Sequence, residues 1–461
     1  MRSSKKAAAV LILIAAAIIY WLPLTGTLDR EALRASALVV LAIGFWATGA
    51  LPEHLTALLF LLLAVVSKVA PASVVFSGFN SSAAWLVFGG LVLASAVKKT
   101  GLGRRIAQGM LGSLAASYLS VISGIVLLSI IFAFFIPSTL GRVVLLIPVV
   151  TAMAERLGFS EKSPGHEGMV MAATLACYVP ACAVLPAAVP NVVAAGAAES
   201  LYNLHFSYGQ YLKLHFPVIG FLKALAIIIL TMVLFPDKIR AMAPSRQKET
   251  APFRNQERTL TIILCGTLLL WGSDVLHGIS PAWVALGAAF ICMLPFAGIF
   301  PDRDSIQAIN FSPFFYVAGV LGMGAVVVKT GLGELVGREL IGLIGFEPGH
   351  VPRNFFSLVL FYTALGLVTT APGVPVVMAP LSAELAAATG FPLMTVLMAQ
   401  VIGFSTLLLP YQVPPVVIGM QLGRVSTGKG TRLTLALAAV SIFILMPVNY
   451  LWWALLGVFG R

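Results

Sequence analysis

The sequence predicts an all-α polytopic membrane protein built as an inverted repeat, with about eleven transmembrane helices plus two re-entrant hairpins. Three observations predict it. Hydrophobic residues make up 59% of the 461 residues and charged residues only 10%, with a mean hydropathy of +0.99. Apolar windows of about 20 residues recur along the whole chain, each long enough to cross roughly 30 Å of hydrocarbon. Motifs of the first half return, in the same order, in the second half. Helix is the element type that follows, because lipid leaves every backbone N–H and C=O to find an internal partner.

The apolar segments fall at 7–24, 33–50, 54–70, 82–98, 117–137, 139–157, 168–199, 210–235, 259–275, 279–299, 311–328, 354–370, 373–388, 391–422 and 433–457. The opening MRSSKKAAAVLILIAAAIIYWLPL resembles a signal peptide in its charge and apolar run. No small-x-small cleavage site follows, so it reads as an uncleaved first helix. Two pairs of segments are separated only by turn residues. These are 117–137 with 139–157, split at Pro137-Ser138-Thr139-Leu140-Gly141, and 354–370 with 373–388, split at Thr369-Thr370-Ala371-Pro372-Gly373. Each pair reads as a hairpin that enters and leaves on one side. Two long segments, 168–199 and 391–422, carry LPAAVPNVV (185–193) and LPYQVPPVV (409–417). Paired prolines remove donors there and break the helix. The largest polar stretch, 237–258, reads as a cytoplasmic linker between the halves.

The repeat rests on three matches. KTGLG stands at 99–103 and 329–333, PSTLGRVVLLIP (137–148) matches TTAPGVPVVMAP (369–380), and the two broken motifs match each other. With the hairpins not crossing, and the amino terminus inside, Lys98, Lys99, Arg104, Arg105, Arg156 and the linker all fall on the cytoplasmic side, as basic loops prefer. An odd number of crossings then separates the halves, which inverts them. Inverted repeats with broken segments are the pattern of secondary transporters. The net charge of +12 is read as this topological bias and not as nucleic-acid binding.

Unwound backbone survives at mid-membrane where protein buries it or where it lines a wet cavity. Half-helices that start there aim their positive ends inward. The candidate substrate-binding residues are therefore Ser138, Thr139, Gly141, Arg142, Asn191, Thr369, Thr370, Gly373, Tyr411 and Gln412. Arg142 is the sharpest of these, since an intramembrane arginine is functional by default. A guanidinium there suits a carboxylate, sulfate or phosphate. Val374 stands at its repeat position. Acidic residues lie at segment ends or in loops, so an acidic proton relay has no carrier. His205 and His215 are expected near the interface, and Lys223 is expected to snorkel or to face the protein. Cys177, Cys182, Cys265 and Cys292 fit no metal spacing and read as core residues. Walker A, His-Glu-x-x-His and Gly-x-Ser-x-Gly motifs are absent, so an enzyme is not expected.

The pattern WLVFGGLVLASAVKKTGLGRRIA, a hairpin ending LLIP, and a broken segment with paired prolines together resemble the divalent-anion:sodium symporter family, across nearly the whole chain. That family carries dicarboxylates, citrate and sulfate. The resemblance implies a homodimer in the inner membrane and an elevator mechanism, in which a transport domain moves against a scaffold. The scaffold would be 1–110 and 259–350, and the transport domain 111–236 and 351–461, joined by the linker 237–258. The family's tips carry Ser-Asn-Thr, which binds sodium and the substrate carboxylate. Here the matching residues are Ser138, Thr139, Leu140 and Thr370, Ala371, Pro372. Both asparagines are replaced, and Val189 and Val413 stand where threonines precede the family's prolines. Sodium, if used, would fall on Ser138, Thr139 and Thr370. The departures imply coupling without the two-site sodium scheme, and no other cofactor. The expected activity is secondary transport of a small anion, whether di- or tricarboxylate, sulfate or sulfonate. A cation or metalloid exchanger of the same superfamily and a non-transporting membrane sensor are the alternatives.

Overall fold

Helix is the only regular structure among the described residues of the computed structural model, as the lipid solvent requires. Residues 2–21, 29–113, 116–239, 252–300 and 303–460 are described. The linker expected at 237–258 lies largely outside them. Among them, seven helices are long and apolar enough to cross a membrane, or eight if one bent pair counts as a span. Other expected crossings are shorter apolar helices, such as Glu53–Val66 and Pro281–Met293. The segment 168–199 is divided into helices too short to span alone, because its prolines cut it into Pro164–Ala176 and Val189–Tyr202.

The same order of elements runs through both halves. A helix ends at KTGLG: Ser82–Thr100 in the first half and Ser312–Lys329 in the second. A hairpin follows, Tyr118–Phe135 with Thr139–Arg156, and Val351–Thr369 with Gly373–Met378. Then comes a broken helix: Pro164–Ala176 resumes at Val189–Tyr202, and Leu393–Phe404 resumes at Pro414–Leu422. Last is a helix with a π segment inside it, Phe216–Leu222 or Ser441–Leu445. Pro217 lies inside the first π segment, and Pro447 lies two residues past the end of the second. A proline cannot donate four residues back, and a π turn re-pairs the ladder around it.

The repeated pentapeptide has one job in both halves. Gly101 and Gly331 take φ of +79° and +69°, the left-handed turn that stops a helix. The second glycine lets the hairpin of its own half come close. A Cβ on Gly103 would lie 2.5 Å from Leu145 Cδ2, and one on Gly333 would lie 3.2 Å from the Pro380 carbonyl oxygen. The lysines before the turn sit in the last helical turn, where a cation complements the dipole.

Helices meet through small residues, as they do where lipid removes the hydrophobic drive between them. A Cβ on Gly89 would meet the Ala285 backbone at 2.7 Å, and one on Gly322 would lie 2.1 Å from the Val75 carbonyl oxygen. The apolar core is contiguous through both halves. Cys177, Cys182 and Cys292 are buried in it, as expected. Cys265 departs from that expectation and is exposed on the outside of its helix. Among the described residues no cluster of His, Cys, Asp and Glu could hold a metal ion.

Candidate functional site

Both tips and both breaks reach one cavity of about 760 Å³. The first tip contributes Pro137, Ser138, Thr139, Leu140 and Gly141, and the first break contributes residues 186–190. The second tip contributes Pro372, and the second break Val413, Pro414 and Pro415. The opposite wall comes from segments distant in sequence. It holds Lys98 and Arg104 at the end of the KTGLG helix and the helix after it, with Glu53, Asn310 and Tyr316.

The local structure of the first tip follows from its residues. Pro137 cannot continue the ladder of Tyr118–Phe135. Ser138 is extended, caps the next helix, and its Oγ accepts from Gly141 N at 3.1 Å. Helix Thr139–Arg156 therefore begins at the cavity wall, with N–H groups that lack an intrahelical partner. Helices Val189–Tyr202 and Pro414–Leu422 begin at the same wall. Three positive dipole ends thus converge on one space.

Arg142 does not line that space. It is fully buried, and its two terminal nitrogens are bonded to oxygens of the protein, while Nε has no hydrogen-bond partner. Nη1 donates to Ile136 O of the tip. Nη2 donates to Cys177 O at 2.7 Å, Ala187 O at 3.0 Å and Thr139 Oγ1 at 3.2 Å. Side chains on a helix lean toward its amino end, so an arginine in the first turn folds back under its own tip and not out into the cavity. The expectation that its charge faces the anion is corrected on this ground.

Several other expected residues are also bonded to protein backbone. Asn191 is fully buried and donates to Val184 O at 2.9 Å and Ala181 O at 3.3 Å. Gln412 Oε1 accepts from Leu408 N and Leu409 N, both at 2.8 Å, which holds the second break open as a loop. Tyr411 Oη donates to Leu367 O at 2.6 Å, and Ala371 N donates to Gln412 O at 2.9 Å. These bonds tie the second tip to the second break, as Arg142 and Thr139 tie the first tip to Ala187. Thr369 Oγ1 donates back to Leu365 O. Thr370 takes φ +71° and ψ 166°, a conformation nearly confined to glycine, so the second tip holds backbone strain. Neither threonine nor Gly373 lies on the cavity wall.

His215 lies where the sequence did not place it, and Lys223 takes the second of its two expected placements, facing the protein. His215, expected at the interface, is fully buried, with Nε2 3.3 Å from Met398 Sδ. Lys223 is buried too, and its Nζ donates to Ser405 Oγ at 2.9 Å, Thr406 Oγ1 at 3.0 Å and Ser405 O at 3.1 Å. Its signal in the sequence was a lysine within an apolar segment that also holds Pro217. The cavity residues Lys98 and Arg104 gave only the signal of a basic helix end.

The chain is 26% identical over 338 residues to the inner membrane protein YbhI of Escherichia coli, covering 70% of each. It is 25% identical over 394 residues to an L-tartrate/succinate antiporter of Shigella flexneri, covering 82% of this chain and 79% of that one. Among solved structures, the YdaH transporter of Alcanivorax borkumensis superposes with a TM-score of 0.61 at 17% identity, covering 100% of this chain and 99% of that chain, which speaks for the fold. The sodium:sulfate symporter transmembrane region matches residues 3–459, and the chain belongs to that family of secondary anion transporters.

Proposed function

We propose that the chain exchanges small dicarboxylates across the inner membrane without a sodium gradient. The observation that carries this is Arg142. A fixed cation is bonded to the carbonyls of the first tip and the first break, where a dissolved sodium ion would need those same oxygens. The anion is placed in the cavity, against Ser138, Thr139 and the three helix starts. Such ends favour negative charge, and the start of Thr139–Arg156 offers N–H donors as well, whereas Pro190, Pro414 and Pro415 have none to give. Lys98 and Arg104 at the wall raise the local anion concentration. A relative named for tartrate and succinate antiport supports a four-carbon diacid and an exchange mode.

The topology assigned from basic residues puts Glu53, Lys98, Arg104 and Asn310 at the cytoplasmic end. On that assignment the cavity opens inward. The outer end is held shut by Ser82 Oγ donating to the Glu199 carboxylate. Asp274 also accepts there from Ser207 Oγ at 3.2 Å and from Tyr208 N. Ser82 and Asp274 belong to the scaffold, and Glu199, Ser207 and Tyr208 to the transport domain, so an elevator stroke would break all three bonds. Assembly as a homodimer belongs to the same proposal.

Labelled succinate uptake into proteoliposomes tests the proposal. Uptake is expected only when unlabelled dicarboxylate is loaded inside, and it should persist when choline replaces sodium. Uptake into empty vesicles that rises steeply with sodium would overturn it.

A further inference from the structure

We infer that Lys223 is a built-in cation for the second break, occupying from within the chain a site that would otherwise hold a dissolved monovalent cation. This extends the proposal of sodium-independent exchange and rests on it for its biological sense, but its geometry stands alone.

The Lys223 ammonium sits at the end of a half-helix. Helix Leu393–Phe404 stops inside the protein, with the buried Ser405 as its C-cap. The last carbonyls of a helix lack intrahelical partners and form its negative end. Lys223 Nζ donates to Ser405 O at that end. The two hydroxyls beside it are already oriented. Ser405 Oγ donates to Ile402 O at 3.1 Å, and Thr406 Oγ1 donates to Ile402 O at 2.8 Å. Both hydroxyl protons are therefore committed elsewhere, and both lone pairs face the ammonium. Three acceptors and no donor surround Nζ, which is the chemistry of a hard-cation site. No carboxylate pairs with Lys223 among the described residues. A structural lysine in hydrocarbon is normally paired or snorkels to the surface, and this one does neither.

The two halves also correspond at this point, independently of Lys223. Helix Pro164–Ala176 also stops inside the protein, with the buried Cys177 as its C-cap. Arg142 donates to Cys177 O at 2.7 Å. Each break thus presents the carbonyl of its first half-helix's C-cap to a buried cation. The cations differ in type and come from different elements, Arg142 from the hairpin and Lys223 from the π-bulged helix. Val374 stands at the repeat position of Arg142. A copied sequence motif does not explain this correspondence, but a shared need for positive charge at both half-helix ends does. The π segment Phe216–Leu222 ends at Lys223. Its extra residue rotates the following side chains around the helix, and so sets the direction in which Lys223 points.

Removing the lysine should therefore create a sodium site. In proteoliposomes, Lys223→Ala is expected to lose at least about tenfold of its succinate exchange in choline, a loss equal to about 1.4 kcal/mol at the transition state. Sodium at about 100 mM should restore much of it. In detergent, sodium but not choline should raise the melting temperature of Lys223→Ala, by mass action on the folded state, and leave the parent protein unmoved. Lys223→Gln, with an amide oxygen as a further ligand, should respond in the same sense. Lys223→Met, which fills the space and offers no ligand, should stay inactive in both salts. Wild-type exchange in choline, or identical behaviour in sodium and choline, for both the Ala and Gln variants would overturn the inference. Should neither variant fold, Ser405→Ala with Thr406→Val keeps Lys223 in place and removes two of its oxygens. Slowed exchange is expected there, and unchanged exchange would equally overturn the inference. Sodium dependence of the parent protein is a separate measurement, so failure of the exchange proposal and failure of this one are distinguishable.

Discussion

Arg142→Met is expected to unfold or strongly destabilise the protein, not merely to weaken anion binding. Methionine matches much of the apolar volume of arginine but brings no donor. The carbonyls of Ile136, Cys177 and Ala187 would lose their shared partner. Cys177 O would be orphaned, at a cost of about 1–3 kcal/mol, while Ile136 O keeps Ser138 N at 2.7 Å and Ala187 O keeps Thr139 Oγ1 at 3.4 Å, so those two each lose a bond to a charged group worth about 1.5–3 kcal/mol. The loss would also cut the first tip from the first break, because Ala187 is held otherwise only by Thr139 Oγ1 at 3.4 Å. Exchange should fall with stability. Arg142→Lys should recover part of each, since a point charge can serve one or two of the carbonyls but not all of them. Melting temperature and dicarboxylate affinity measured on the same purified variants check this. Weakened affinity with an unchanged melting temperature would instead put the guanidinium back at the anion.

Gly322→Ala is expected to cost about 3 kcal/mol, at the upper end of ordinary overpacking. Its Cβ would lie 2.1 Å from the Val75 carbonyl oxygen, and the backbone cannot yield as a flexible side chain can. Two residues on, Gly324→Ala is the contrast. Its Cβ would meet Pro380 Cγ at 3.6 Å and Leu201 Cδ1 at 3.7 Å, which are ordinary contacts. There the gain in helix propensity, up to about 1 kcal/mol, should leave the protein as stable as before or more so. Thermal unfolding of the two single variants separates them. Equal melting temperatures would mean that helix Ser312–Lys329 does not pack on Val75 as described.

Punctuation residues made the architecture legible in the sequence. Pro137, Pro372 and the paired prolines at 186 with 190 and 414 with 415 interrupt apolar runs, and each interruption is a real tip or break. The KTGLG pair was legible for the same reason, since only glycine serves both its turn and its close contact. Side-chain direction was not legible. Arg142, Asn191 and Gln412 sit in the expected motifs, but polar atoms there have two possible customers, the cavity and the exposed backbone of the breaks. In all three the backbone wins, because an unpaired carbonyl (for Arg142 and Asn191) or N–H (for Gln412) in hydrocarbon is costly and lies nearer. The π segments were hidden as well. Pro217 and Pro447 mark a disturbance in the ladder, but a proline kink and a π turn carry the same sequence signal. Without the π turn, nothing in the sequence aimed Lys223 at Ser405.

Tethering both cations to the chain has an electrical consequence. A coupling ion that dissolves and leaves changes the charge of the carrier at every half-cycle. Arg142 and Lys223 cannot leave. If both stay protonated, a site holding a dianion is close to neutral, whereas an emptied one keeps two uncompensated positive charges in hydrocarbon. Each elementary charge crossing the field is worth about 2.3 kcal/mol per 100 mV, and its desolvation adds to the barrier in either direction. A loaded site would escape both penalties and an empty one neither, so the unloaded return would be the slow limb of the cycle. Strict one-for-one trade of dianions, indifferent to membrane voltage, would then follow from where two side chains are anchored.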